Sequence, residues 1–166
     1  MIAAATIAPG RFREVLGGYP TGVCVITSAE LDSRFAMVVG TFTSISLEPP
    51  LVGFFPDKAS SSWPKIERTG RFCVNVLGKD QLDHCKHFAS KREDKFEGQS
   101  HGLSPGGLPL LNDAIAWIEC AIAQVFEIGD HLLVVGEVSA LDRRDIGDPL
   151  LFFSGSYHGL QPLVQR

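Results

Sequence analysis

The chain has 166 residues, 45% hydrophobic and 20% charged, which suits one domain over residues 1–166 with a full core and no need of disulfide or metal staples. Its net charge of −4 and pI near 5.7 argue against a nucleic acid or an anionic membrane surface as the main partner, since both want a basic footprint. No apolar run approaches the roughly 20 residues that span a bilayer, and the opening MIAAATIAPG lacks the basic n-region of a secretory signal, so a cytoplasmic protein is the expectation.

In chain order, Arg11–Leu16 reads as a short helix with Pro9 ahead of it and Gly17-Gly18 stopping it. Thr21–Ser28 is rich in β-branched residues and predicts a strand. Phe35–Ser46 is a second strand, paired with the first through the polar Glu30–Arg34 turn. Leu51–Phe55 is a third, apolar throughout and therefore buried on both faces. Ser62–Thr69 predicts a short helix with Pro64 in its first turn and Gly70 just past its end.

Phe72–Leu77 continues as a strand, and Asp80–Ala89 as a helix whose start carries Asp80 and Asp83 as a capping pair. Ser90–Pro109, charged and then Gly/Pro-rich, reads as a long excursion of the functional kind. Ala116–Glu127 and His131–Leu141 predict two long strands joined at Gly129-Asp130, and Leu150–Phe153 a final one. Six or seven strands with two or three short helices, mostly hairpin-connected, imply a mostly β, Greek-key-like antiparallel barrel with helical decorations.

The four cysteines are scattered, with no C-x-x-C pair, and read as reduced; Cys24, Cys73 and Cys120 lie inside apolar runs. His84 and His87 share a helix face without a second ligand pair, so no metal is expected. The loop from Lys58 through Ser60, Ser61 and Ser62 opens into a helix at Trp63-Pro64. Unpaired amides at a helix start, three hydroxyls and one cation suit a phosphate. An N-cap serine with two filler serines accounts for the same local pattern.

Seven segments stand in a telling order and spacing: Gly22–Thr27 (GVCVIT), Phe42–Val52 (FTSISLEPPLV), Lys58–Trp63 (KASSSW), Gly70–Leu77 (GRFCVNVL), Lys95-Phe96, Gly129–His131 (GDH), and Pro149–Phe153 (PLLFF) with Tyr157. Together they resemble the flavin reductase family, the small reductase components of two-component flavin monooxygenases with the FMN-binding split-barrel fold. The resemblance covers nearly everything from Phe12 to about Leu160.

The resemblance implies that the segment before Phe42 wraps the isoalloxazine ring. In the family this segment usually reads Thr-Ala-Asn-Ser, whereas here it is Val38, Val39, Gly40 and Thr41. Two polar side chains are thus replaced by valine and glycine, leaving backbone groups to meet the ring's pyrimidine edge. An ordinary strand with Val38 and Val39 in the core is the competing account.

By the same resemblance, the Lys58–Trp63 loop matches the family's phosphate-binding segment, with Ser61 and Ser62 as ligands, Ser60 beside them and Lys58 as a point charge. Phe55, Pro56 and Asp57 line the ribityl side. Trp63 packs the helix to the barrel rather than stacking on flavin. His131 matches a histidine facing the nicotinamide, Tyr157 lies beside the dinucleotide, and Phe96 either lies against the flavin or serves as a core or lid residue.

The implied activity is NAD(P)H:flavin oxidoreduction, with hydride passing from NADH or NADPH to FMN, FAD being the other candidate. No G-x-G-x-x-G follows a strand, so no Rossmann domain is expected for the dinucleotide. A homodimer and a separate oxygenase component are the implied partners. The alternatives are a flavin-binding split-barrel protein without NAD(P)H turnover and a deazaflavin-using oxidoreductase on the same fold.

Overall fold

The computed structural model of the chain describes residues 6–145 and 147–164; the first five residues of the apolar opening stretch lie outside them. Helix α1 is Pro9–Leu16. Strands β1 (Thr21–Gly22), β2 (Cys24–Glu30), β3 (Ser33–Val39), β4 (Thr43–Ser46) and β5 (Leu51–Phe54) follow, then α2 (Trp63–Thr69) and β6 (Arg71–Val76). A 3₁₀ turn at Lys79–Gln81 leads into α3 (Leu82–Ala89). The remaining strands are β7 (His101–Leu103), β8 (Pro109–Leu111), β9 (Ala116–Ile128), β10 (His131–Arg143), β11 (Leu151–Phe153) and β12 (Ser156–His158).

Seven strands form the main antiparallel sheet in the order β3-β2-β6-β9-β10-β5-β4, with β1-β11-β12 and β7-β8 as two small sheets. Its end strands, β3 and β4, are consecutive in the chain and joined by residues 40–42 alone. Ends so tied can lie at opposite edges only if the sheet curls round on itself, giving an open, split barrel.

This curl explains one difference from expectation. Phe35–Ser46 is two strands and not one: it bends at Gly40 and breaks over Gly40–Phe42, where the chain leaves β2 and crosses to β5. The Thr21–Ser28 run likewise divides at Val23, its first two residues pairing with β11.

The barrel interior is filled by alternate residues: Cys24 and Ile26 from β2, Met37 and Val39 from β3, Phe72 and Val74 from β6. Trp63 and Ile66 of α2 pack into the same cluster, Trp63 edge-on to Phe54 with ring centroids 5.8 Å apart. The opposite faces of β2 and β3 present Val25, Ala36 and Val38 to a second cluster with Cys85 and Phe88 of α3. Buried on both faces, these strands carry near-continuous apolar runs.

Local signals place the ends. Gly70, at φ 72°, closes α2 in the left-handed conformation that favours glycine. Gly129, at φ 58°, opens the two-residue turn that joins β9 and β10. At the start of α3, by contrast, the Gly78 amide donates to Gln81 Oε1 at 2.9 Å, so a glutamine and not the Asp80/Asp83 pair holds the turn. Thr27 and Asn75 lie on the outer face of β2 and β6: Thr27 Oγ1 donates to the Pro109 carbonyl (2.6 Å), and Asn75 Oδ1 accepts from the Leu111 amide (2.8 Å). This pins the β7–β8 excursion to the barrel.

Candidate active site

The chain leaving β5 runs beside the start of β10. The Leu132 amide donates to the Pro56 carbonyl, the Lys58 amide donates to the Asp130 carbonyl, and Asp57 bridges to His131. The Thr41 hydroxyl accepts from the Phe55 amide at 3.0 Å. Thr41, Phe55, Asp57 and His131, distant in sequence, therefore lie along one ribbon.

His131 Nδ1 sits 2.7 Å from Asp130 Oδ1. That hydrogen bond, with the histidine's charge, holds the Asp130 carboxyl below its ordinary range. With Nδ1 so engaged, Nε2 is the ring nitrogen left to face a ligand.

The serine loop is ordered by its own side chains. Asp57 Oδ1 accepts from the Ala59 amide (2.7 Å), and Ser60 Oγ accepts from the amides of Ser62 (3.3 Å) and Trp63 (3.2 Å). Ser60 is thus the cap of α2. The Ser62 and Trp63 amides are thus occupied and Pro64 has none, so little of an anion's binding falls to the helix terminus. Ser61 keeps an exposed hydroxyl, and Ser62 Oγ accepts from Lys95 Nζ at 3.3 Å.

Lys58, the cation of the loop itself, points elsewhere: its Nζ pairs with Glu127 Oε2 at 3.3 Å. The loop instead forms one wall of a cleft of about 450 Å³, lined also by Arg34, Lys65, Lys91, Arg92, Glu93 and Lys95. None of these five cations is within ion-pair distance of a carboxylate among the described residues. Burial first, then the nearby Lys65, lowers the pKa of Lys95. A protein of net charge −4 has here a concentrated positive spot. Such a donor set fits a phosphate group.

Of the residues expected to face the ring, Val39 is core and Val38 packs against the α3 cluster, so their side chains are spent on packing. Backbone is their offer to a ligand: β3 is the last strand of its sheet and has an unpaired edge. Phe96 is buried (8% exposed) behind the cleft, edge-on to Phe88 and His101. Tyr157 lies in the β1-β11-β12 sheet, its hydroxyl 3.5 Å from Cys85 Sγ, and does not line the cleft. That contact, then burial, pushes its phenol up to about 12.

The cations of the cleft are candidate residues to which the sequence reading gave no role, Lys95 entering it only as part of a matching segment. For Lys91, Arg92 and Lys95 the local signal is the charge run Ser90–Lys95 (SKREDK), directly after α3; Arg34 and Lys65 lie outside it.

The sequence matches the flavin reductase like domain over residues 16–161. The chain belongs to the flavin reductase family. It is 52% identical over 159 residues to a flavin reductase of Pseudomonas putida, covering 95% of this chain and 94% of that one. Identity is 44% over 161 residues to the reductase subunit of a flavin-dependent monooxygenase of Rhodococcus jostii (97% and 83% covered). Among solved structures, the NADH:FAD oxidoreductase of Streptomyces globisporus, in complex with NAD and FAD fragments, superposes with a TM-score of 0.89 at 32% identity, covering 98% of this chain and 100% of that one. A flavin reductase of this family is an NAD(P)H:flavin oxidoreductase on a split barrel, and this chain has both the sequence and the fold.

Proposed function

We propose that this flavin reductase takes the flavin's phosphoryl group into the cleft between the serine loop and the Ser90–Lys95 segment. Ser61, Ser62 and Lys95 supply the donors there, and Ser60 holds the loop that presents them. The ring lies along the unpaired edge of Val38 and Val39, over Gly40 and Thr41, with Phe55, Pro56 and Asp57 beside the ribityl chain. The carrying observation is the clustering of cations without carboxylate partners around the Ser61 and Ser62 hydroxyls at the start of β3, with the Thr41–Phe55–His131 ribbon beyond its other end.

Bound flavin supplies the hydride-accepting chemistry. The chain's own residues orient and neutralise: Lys95 and its neighbours balance the phosphate, and His131, fixed through Asp130, presents Nε2 to the carboxamide side of a nicotinamide. Reduced flavin then passes to a separate oxygenase component. Two copies of the chain form the working unit, and Tyr157 approaches the dinucleotide in that assembly.

Steady-state oxidation of NADH and of NADPH, each with FMN, FAD and riboflavin, tests the reading. Turnover with a phosphorylated flavin at lower KM than with riboflavin is expected. Flavin binding without nicotinamide oxidation under any pairing would overturn it. Changing Ser61 and Ser62 together to alanine should weaken FMN binding and spare riboflavin, and equal effects on both would remove the phosphate from the cleft.

A further inference from the structure

Arg34 stands at the start of β3 on the wall of the cleft. Its Nε donates to His101 Nε2 at 3.1 Å, and its Nη1 donates to the Asp32 carbonyl at 3.0 Å. Two bonds from two directions, one from β7 and one from the β2–β3 turn, fix the plane of the guanidinium. Nη2 has no protein partner among the described residues.

The partner chosen for Nε matters. A carboxylate would hold the guanidinium and cancel its charge; a neutral imidazole holds it and leaves the charge whole. His101 must be neutral on Nε2 to accept, which puts its proton on Nδ1, 3.3 Å from the Gln99 carbonyl. The imidazole is braced in turn by Phe96, edge-on with ring centroids 5.1 Å apart. His87 Nε2 donates to the Lys95 carbonyl at 2.9 Å, so the segment bearing Lys95 is held as well.

We propose that Arg34 is a ligand for the flavin's phosphoryl oxygens and that His101 is its positioning residue, turning a fully charged guanidinium toward the cleft. The proposal rests on reading that cleft as the flavin phosphate site. It also accounts for Phe96, whose buried ring supports His101.

The test is the dissociation constant of the full chain for FMN and for riboflavin, which lacks the phosphate, by flavin fluorescence. Arg34→Gln should weaken FMN about tenfold or more, as loss of a charge-assisted hydrogen bond implies, and leave riboflavin unchanged. His101→Phe keeps a ring against Phe96 but removes the acceptor; it should weaken FMN several-fold, about the loss of one hydrogen bond, again sparing riboflavin. His101→Gln, with an acceptor oxygen, should recover part of that loss.

In the Arg34→Gln background, His101→Phe should have no further effect. Arg34→Lys, which keeps the charge without the Nε donor, should bind FMN at intermediate strength and also be insensitive to His101→Phe. If Arg34→Gln and Arg34→Lys bind FMN as the parent does, or lose FMN and riboflavin equally, the proposal is wrong. An additive double variant would sink the positioning role. The Ser61/Ser62 alanine pair separates the layers: if it treats FMN and riboflavin alike, the cleft reading fails and this proposal with it. If it discriminates while Arg34→Gln does not, Arg34 alone is excluded.

Discussion

Lys95 is half-buried, faces another lysine, and has a hydroxyl as its hydrogen-bonding partner, so its charge is held at a cost. A lysine pKa lowered by desolvation and a like charge means that the ammonium loses its proton at lower pH than an ordinary lysine. A bound phosphate favours the charged form and raises the pKa again. FMN affinity should therefore fall as pH rises through the alkaline range below the usual lysine value of about 10.4. Lys95→Met should bind FMN more weakly and abolish this dependence, as titrations of FMN with riboflavin as control would reveal. A wild-type alkaline profile in that variant would exclude Lys95 as the group responsible.

His131 makes a separate prediction. With Nδ1 committed to Asp130, His131→Ala should lower kcat/KM for the nicotinamide about three- to tenfold, the worth of one hydrogen bond, with FMN affinity unchanged. Loss of flavin affinity without loss of rate would be the contrary result. At this scale the sequence shows residue types and hides pairings. Three adjacent serines look equivalent until the loop's path makes Ser60 the cap. Lys58 stands beside them in sequence yet pairs with Glu127, while Lys95 arrives from 33 residues away.

At the scale of elements, the buried Thr27–Asn75 pair is what fastens the β7–β8 excursion to the barrel, and through it His101. Asn75→Leu would leave the Leu111 amide without its acceptor in a dry site. The cost should be about 1–3 kcal/mol for that orphan alone, measured by urea unfolding, and a neutral substitution would mean the excursion is held otherwise. Gly136 tests the barrel itself: a Cβ there would lie 2.5 Å from Phe72 Cζ and 2.9 Å from Cys120 Cβ. Gly136→Ala should destabilise by about 1–3 kcal/mol, since both neighbours are buried and neither can swing away.

The elements were largely legible because their signals are local: β-branched runs, a glycine past α2, a Gly-Asp turn between two long alternating strands. The break at Gly40–Phe42 was not legible. Both halves are extended, and what separates them is a change of hydrogen-bonding neighbour from β2 to β5, which only the curl of the whole sheet determines. Val38 and Val39 show the same limit from the other side. Their residue types announce packing, and only their place on a terminal strand leaves a backbone edge for a ligand.

On the scale of the whole molecule, α1 buries none of its residues, although Phe12, Val15 and Leu16 are apolar. Isolated helices of about this length are marginal in water and depend on packing of an apolar face. The Ser154 amide donates to the Gly17 carbonyl at 2.9 Å, so the end of α1 is tied to the turn between β11 and β12. Those strands expose Phe152, Phe153 and Tyr157, and Tyr19 is exposed just after α1. Phe152 and Tyr157 stack edge-on with ring centroids 5.2 Å apart, and exposed apolar side chains of this kind mark an interface. A second copy of the chain is the occupant that the proposed two-chain unit requires. Sedimentation equilibrium should give a dimer, and Phe12→Glu with Val15→Glu should shift it toward monomer while lowering helical content, because a charged face can neither dock nor hold α1 in place. A chain that stays monomeric at all concentrations would leave α1 without the packing its length demands, and the two-copy assembly would have to be abandoned.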